Sequence, residues 1–178
     1  MQKTSLLLCL ILIVTFFIFF QTHSFEFLTW DDDKQVTENQ YIKKFDSETF
    51  KNLYEFDKHT SVSLLTFAVE YQFWGLSSKH MHLNNVLLHL LNIFLIFIFL
   101  KLLFGNNFIA LFAALLFALH PSRVESVAWI SERKDLFYTF WSLLSLIFYT
   151  HFLQGKDKHW IVFIVITFAS LSVLSIIQ

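Results

Sequence analysis

LNNVLLHLLNIFLIFIFLKLLF, residues 83–104, decides the fold class. Its apolar residues run almost unbroken over the roughly 20 residues an α-helix needs to cross the hydrocarbon core of a bilayer. Only Lys101 carries a full charge, and it lies near one end. The polar residues form a narrow stripe instead. His82, Asn85, His89 and Asn92 follow at spacings of three, four and three, which puts them on one side of a helix. Polar groups in hydrocarbon need partners, so the stripe is expected to face other helices, a polar cavity, or both. His82 and His89 stand two turns apart, and a metal site from that pair alone is weak.

Four further apolar stretches flank this one: 4–22, 107–120, 136–153 and 160–177. Of 178 residues, 56% are hydrophobic and 24 are Phe; charged residues make up only 15%, and they cluster. Mean hydropathy is +0.57. The chain therefore reads as an all-α, multi-pass integral membrane protein. The third stretch is short for a crossing, so it starts within "GNN" or is a half-span. The first has an alternative reading as a secretory signal with Lys3 at its charged start, but no small-x-small cleavage site follows it. Net charge near −1 says little about partners, and nothing points to nucleic acid. The single cysteine, Cys9, excludes a disulfide framework or a thiol metal site within the chain.

With a cytoplasmic N-terminus, the turns at 105–107 and 154–159 are cytoplasmic, carrying Lys101, Lys156 and Lys158 in agreement with the positive-inside rule. The loops 23–82 and 121–135 then lie outside together. The second of these holds Arg123, Arg133 and Lys134 against that rule, which suggests a task such as holding an anion. In the first, "DSETFKNLYEF" (46–56), with Asp46 as N-cap, and "VSLLTFAVEYQFWG" (62–75) read as helices lying in the membrane interface. The chain stops inside the last apolar stretch, at "SIIQ", and is expected to be an N-terminal fragment truncated before any helical repeats.

Two motifs carry candidate chemistry. "TWDDD" (29–33) places Asp31, Asp32 and Asp33 immediately after the first span. The plain reading is a solvated acidic loop or a helix start favoured by negative charge. The sharper one is a general base at the membrane surface, because crowded acids push one another's pKa apart. "HPSRVESVAWISERKD" (120–135) is expected to form a helix from Pro121, with Glu125, Trp129 and Arg133 on one face and Arg123 and Lys134 beside it. That pattern suits a surface helix with Glu–Arg pairs worth a few tenths of a kcal/mol each. It equally suits an anion clamp, since Arg matches phosphate geometry and ionisable groups bracketed by spans are costly.

These segments, with "LTFAVEYQFWGLSSKHMHLNNVLLHLLN" (65–92) and "ALLFALHPSRVESVAWISERKDLFYTFWSLLSLIFY" (114–149), closely resemble the membrane part of the tetratricopeptide-repeat transmembrane O-mannosyltransferase-like family. The resemblance implies a GT-C-like helical bundle and inverting transfer of a sugar, mannose in the first place, from a polyprenyl-phosphate donor to a Ser or Thr hydroxyl of a protein. It implies an active face on the non-cytoplasmic side of the endoplasmic reticulum or bacterial inner membrane. Asp31 and Asp32 take the place of the acidic pair from which such enzymes draw their base. Arg123, Glu125, Arg133, Lys134 and His120 would face the donor phosphate or acceptor. Trp30, His82, Asn85 and His89 would line the cavity.

Two departures stand out. Relatives carry a Pro-containing stretch where this chain reads "HTSVS" (59–63), and a His common among them is Met81 here. No cofactor is assigned; a divalent metal is compatible with the acids but has no support in the sequence. Two rival readings stay open: a non-catalytic membrane anchor of a repeat-bearing interaction protein, and a transporter or channel fragment. Grouped acids and bases on one outer face favour transfer chemistry, since a transporter more often buries charges at mid-bilayer.

Overall fold

The computed structural model describes residues 2–155, together with Ile164, Ile166 and Ala169. Its helices are α1 (Gln2–Phe20), α2 (Thr49–Phe56), α3 (Ser61–Trp74), α4 (Ser78–Phe104), α5 (Asn107–Leu119), α6 (Arg123–Ala128) and α7 (Arg133–Leu153). No strand occurs among the described residues. The chain is an all-α polytopic membrane protein. The helix of α1 extended by a turn to Ser24, α4 and α7 are each long and apolar enough to cross a bilayer. At 13 residues, α5 reaches about 20 Å, short of a hydrocarbon core of about 30 Å. The fifth apolar stretch, 160–177, lies outside the described residues except for three positions, as do Lys156 and Lys158.

The two ends of the bundle are fixed by hydrogen bonds. At one end α4 stops at Gly105, whose φ of 64° is left-handed and whose N–H donates to the Lys101 carbonyl at 2.9 Å. Asn106 then caps α5, its side-chain oxygen accepting from the Phe108 N–H at 2.8 Å. The far end of α7 returns to this level, where Gln154 Nε2 donates to the Leu102 carbonyl at 3.0 Å. At the opposite end the two long loops meet one another.

Close packing of α5 follows from its sequence. Ala110, Ala114 and Ala118 recur every fourth residue, all fully buried, in one cluster with Leu8, Ile93 and Phe97. Small side chains let helix backbones approach where lipid gives no hydrophobic drive between helices. On its other side α4 meets α7 through Leu95, Leu143 and Ile147. The stripe on α4 faces protein: His82, Asn85, His89 and Asn92 are all buried. Asn85 Nδ2 donates to the Trp129 carbonyl at 3.1 Å and Asn92 Nδ2 to that of Leu136 at 2.9 Å. His89 Nε2 lies 3.3 Å from the Ala118 carbonyl, an acceptor in the last turn of α5.

The first loop folds on a small core that it shares with Ile130 of the second, in which Val36, Ile42, Leu53, Leu64, Phe67, Met81 and Ile130 are fully or almost fully buried. Two local expectations need correction. The helix expected from Asp46 begins at Thr49. The Asp46 carboxylate instead accepts from the Glu48 N–H at 3.0 Å and from Thr49 Oγ1 at 3.1 Å, holding a turn before the helix. Nor is 121–135 one helix. After Ala128 the backbone becomes extended at Trp129 (φ −99°, ψ 123°), and α7 starts at Arg133. Glu125, Trp129 and Arg133 therefore do not share a helix face. The Trp129 carbonyl is held by Asn85 rather than continuing the helix.

Candidate functional site

The three consecutive carboxylates have separate roles. Asp32 is fully buried. Its Oδ2 accepts from the Leu28 N–H at 3.0 Å, and its Oδ1 accepts from the Ser131 N–H at 2.9 Å and from the Ser131 hydroxyl. Both oxygens are thus engaged, and the side chain joins the two outer loops. Asp33 accepts from Thr37 Oγ1 at 3.1 Å, closing the single wide helical turn Asp33–Thr37. Asp31 and Asp33 are both partly exposed, but of the three only the Asp31 carboxylate has no hydrogen-bond or ion-pair partner among the described residues. Trp30 beside it is largely exposed.

Arg133 is buried and fully occupied. Nε donates to Asn85 Oδ1 at 2.6 Å; Nη1 donates to Thr66 Oγ1 at 3.0 Å and to Glu70 Oε1; Nη2 donates to Glu70 Oε2 at 3.3 Å and to the Met81 carbonyl at 2.8 Å. A guanidinium has five N–H groups, so none is left for a phosphate. Its face rests on the Phe67 ring, 4.2 Å from the centroid. The side chain expected to clamp an anion instead ties α3 and α4 to the start of α7. Lys134 is also buried, and its Nζ lies 3.2 Å from Glu132 Oε1. Burial raises the Glu132 carboxyl above its ordinary value, and the Lys134 charge pulls it partly back.

Arg123 and His120 are different. Arg123 is partly exposed, has no carboxylate partner among the described residues, and lies over the Phe117 ring at 5.3 Å. Its Nε and Nη2 donate only to Ser122 Oγ, each at 3.3 Å. His120 is exposed, and its Nδ1 accepts from the Ser122 N–H at 3.2 Å. An N–H can only donate, so in the neutral ring the proton sits on Nε2, which stays open as a donor. Glu125 is exposed on α6. Among the described residues, no three His, Cys, Asp or Glu side chains are grouped to hold a metal ion.

Sequence reasoning missed Glu70 and Ser131. Glu70 did leave a signal, as the one acid inside the apolar run that forms α3, where an ionisable group needs a partner. Ser131 left none, because a serine in a loop is ordinary.

Over 85 residues the chain is 42% identical to protein O-mannosyl-transferase tmtc2 of Xenopus laevis, a match covering 48% of this chain and 10% of that protein. It is 39% identical over 85 residues to human protein O-mannosyl-transferase TMTC2, with the same coverage. It is 32% identical over 94 residues to protein O-mannosyl-transferase Tmtc1 of Drosophila melanogaster, covering 53% of this chain and 11% of that one. The match thus spans about a tenth of the length of these curated relatives. No family model matches the chain. No solved structure matches it.

Proposed function

We propose, from homology to the protein O-mannosyl-transferases, that this chain serves a membrane glycosyltransferase acting on the non-cytoplasmic side. In this reading a sugar, mannose in the first place, passes from a polyprenyl-phosphate donor to a Ser or Thr hydroxyl of a protein, with inversion. The observation that carries it is the 39–42% identity over 85 residues to proteins of that name. The division of labour among the carboxylates supports it, because Asp31 is left free at the foot of the first span.

The chemistry assigns roles by atom. The acceptor oxygen attacks the anomeric carbon while the bond from that carbon to the phosphate oxygen breaks. The electron pair leaves with the lipid phosphate, and the hydroxyl proton passes to a carboxylate. Such a base contributes about 10²–10⁴-fold. Asp31 suits the role, since it is partly exposed and unengaged. Asp32 does not, because both its oxygens are spent on the loop seam. The leaving phosphate gains charge as it departs, and a cation aimed at it stabilises that charge. Arg123, with His120 beside it, suits this better than Arg133 or Lys134.

The test is radiolabelled mannose transfer from polyprenyl-phosphate-mannose in membranes, with donor binding measured separately. Asp31→Asn is expected to abolish transfer and keep donor binding. Transfer at the unaltered rate would remove Asp31 as the base and leave the acidic run a structural loop; absence of transfer by the unaltered protein would favour the membrane-anchor reading.

A further inference from the structure

The helical segment that follows the first span has two unlike sides. Residues 31–37 are helical, and Glu38 keeps helical backbone angles. Asp32, Gln35, Val36 and Asn39 are buried, with Val36 in the core of the loops. Asp31, Lys34 and Glu38 follow at spacings of three and four on the opposite side, where Lys34 and Glu38 are exposed. None of these three side chains has a hydrogen-bond or ion-pair partner among the described residues. The candidate base is thus the first group of an outward ridge.

The ridge runs into a hollow of about 330 Å³, lined by Lys34 and Glu38 with Asn39, Gln40, Tyr41 and Phe56. Hydrogen bonds set its walls in advance. Asn39 Nδ2 donates to the Gln35 carbonyl at 3.1 Å, and Asn39 Oδ1 accepts from the Tyr41 N–H at 2.9 Å. Lys43 Nζ donates to the Thr37 carbonyl at 2.8 Å. A turn fixed in this way loses little freedom when it binds something. The rings of Tyr41 and Phe56 stand 5.8 Å apart at 61°, and they are 45% and 37% exposed. Two rings at that angle make a corner rather than a flat platform. A corner suits an apolar or aromatic side chain that touches both rings, whereas a sugar ring stacks on a flat face. Lys34, Glu38 and the Gln40 amide supply donors and acceptors for the C=O and N–H groups of a peptide backbone. A carboxylate at the rim also tells against a lipid occupant, because an unpaired charge is costly to cover with apolar groups.

We propose that this hollow is a docking subsite for the acceptor polypeptide, and that it takes an apolar or aromatic side chain close to the Ser or Thr that receives the sugar. The inference rests on the transferase reading and adds a rule for the choice of hydroxyl. At 1.5 Å per residue along the ridge, Lys34 lies about 5 Å and Glu38 about 10 Å from Asp31. An extended chain covers about 3.3–3.6 Å per residue. A side chain anchored in the hollow therefore brings to Asp31 a hydroxyl two or three positions away. Trp30, 76% exposed beside Asp31, gives the intervening residues a surface to lie on.

The test uses the full chain in lipid nanodiscs, polyprenyl-phosphate-mannose, and a series of peptides with one Thr and one Phe set one to six positions apart in either order. Transfer is expected to peak at two or three positions. In the best peptide a photoreactive benzoylphenylalanine replaces Phe, and its cross-links are expected between residues 34 and 56, competed by the unmodified peptide. Gln40→Trp, which fills the hollow, and Tyr41→Ala, which removes one wall, should each cut cross-linking about tenfold and raise the acceptor KM by a similar factor, with donor binding kept. If either variant fails to fold, the other supplies the same reading. Gln40→Cys in a Cys9→Ser background should react with an impermeant maleimide; protection would mean that the bilayer covers the hollow. That protection, cross-links confined to other residues, cross-linking undiminished by the variants, or transfer indifferent to spacing would each overturn the proposal. The two levels separate: transfer with cross-links elsewhere defeats the subsite alone, and competed cross-linking at 34–56 without transfer defeats the transferase reading alone.

Discussion

Asp32 and Ser131, 99 residues apart in sequence, join the two outer loops through two hydrogen bonds to one carboxylate oxygen. The carboxylate is wholly buried, so its charge is sustained by donors rather than by water. Removing it leaves the Ser131 and Leu28 N–H groups without partners. Asp32→Ala is expected to cost about 3 kcal/mol, the range for hydrogen bonds to a charged group. Asp31→Asn, at a partly exposed and unpaired position, should stay within about 0.5 kcal/mol. Thermal unfolding of both variants in detergent checks this; equal losses would abolish the distinction between the two acids.

The Arg133–Glu70 pair makes a second such joint, with Asn85, Thr66 and the Met81 carbonyl completing the guanidinium's partners. Breaking a buried pair from one side strands the other charge. Arg133→Ala is expected to cost about 3–5 kcal/mol, whereas Arg133→Met combined with Glu70→Leu should recover much of that. Protease resistance of the folded protein reads both. A double variant no better than Arg133→Ala would show that the pair contributes more than mutual neutralisation.

Much of this arrangement was legible in the sequence. Length and hydropathy alone mark 83–104 as a crossing, and the three–four–three spacing of His82, Asn85, His89 and Asn92 announced a side that faces protein. Local patterns could not show where the chain breaks. Residues 121–135 carry good helical spacing, yet the helix stops at Ala128, and the Trp129 carbonyl pairs with Asn85 on another helix. Nor could three adjacent Asp residues disclose that one is engaged by a loop 99 residues away. Whether a charge is free or satisfied is a tertiary property, so Arg133 and Arg123 look alike in sequence and differ in the fold.

Ala114 sits fully buried at the centre of the α5 stripe. A larger side chain there must push α5 away from α4. Ala114→Leu is expected to cost about 1–3 kcal/mol by overpacking. Leu116→Ala, at an exposed position on the same helix, should change stability little. Melting temperatures of the two variants measure the contrast, and a neutral Ala114→Leu would contradict the close α4–α5 approach.

Glu132 gives a pH dependence of known sign. Its folded pKa is raised by burial, so the native state holds the proton more tightly than the unfolded chain does. That contribution is fully present below the ordinary value of 4.5 and is lost as pH rises through the folded pKa. Glu132→Gln removes this titration. The variant's stability should fall less than that of the unaltered protein as pH rises from about 4 towards neutrality. Parallel pH–stability curves would show that Glu132 does not titrate differently in the two states.

The joints at Asp32–Ser131 and Arg133–Glu70 require both long loops to lie on one side of the membrane. In the orientation we propose, with α1 leading outward, that side is the non-cytoplasmic one. Asp32 and Ser126 are themselves buried, so a cysteine at either would report burial as much as sidedness. Lys34 and Glu125 are exposed, one in each loop. In a Cys9→Ser background, Lys34→Cys and Glu125→Cys are each expected to react with an impermeant maleimide added to sealed, outward-facing cells or to permeabilised cells with an intact endoplasmic reticulum only after that membrane is opened. Asn106→Cys, in the turn at the opposite end of the bundle, should show the reverse access. Labelling of Lys34→Cys and Glu125→Cys from opposite sides is incompatible with a seam between the loops, and it would remove the common site on which the Asp31 and Arg123 roles depend.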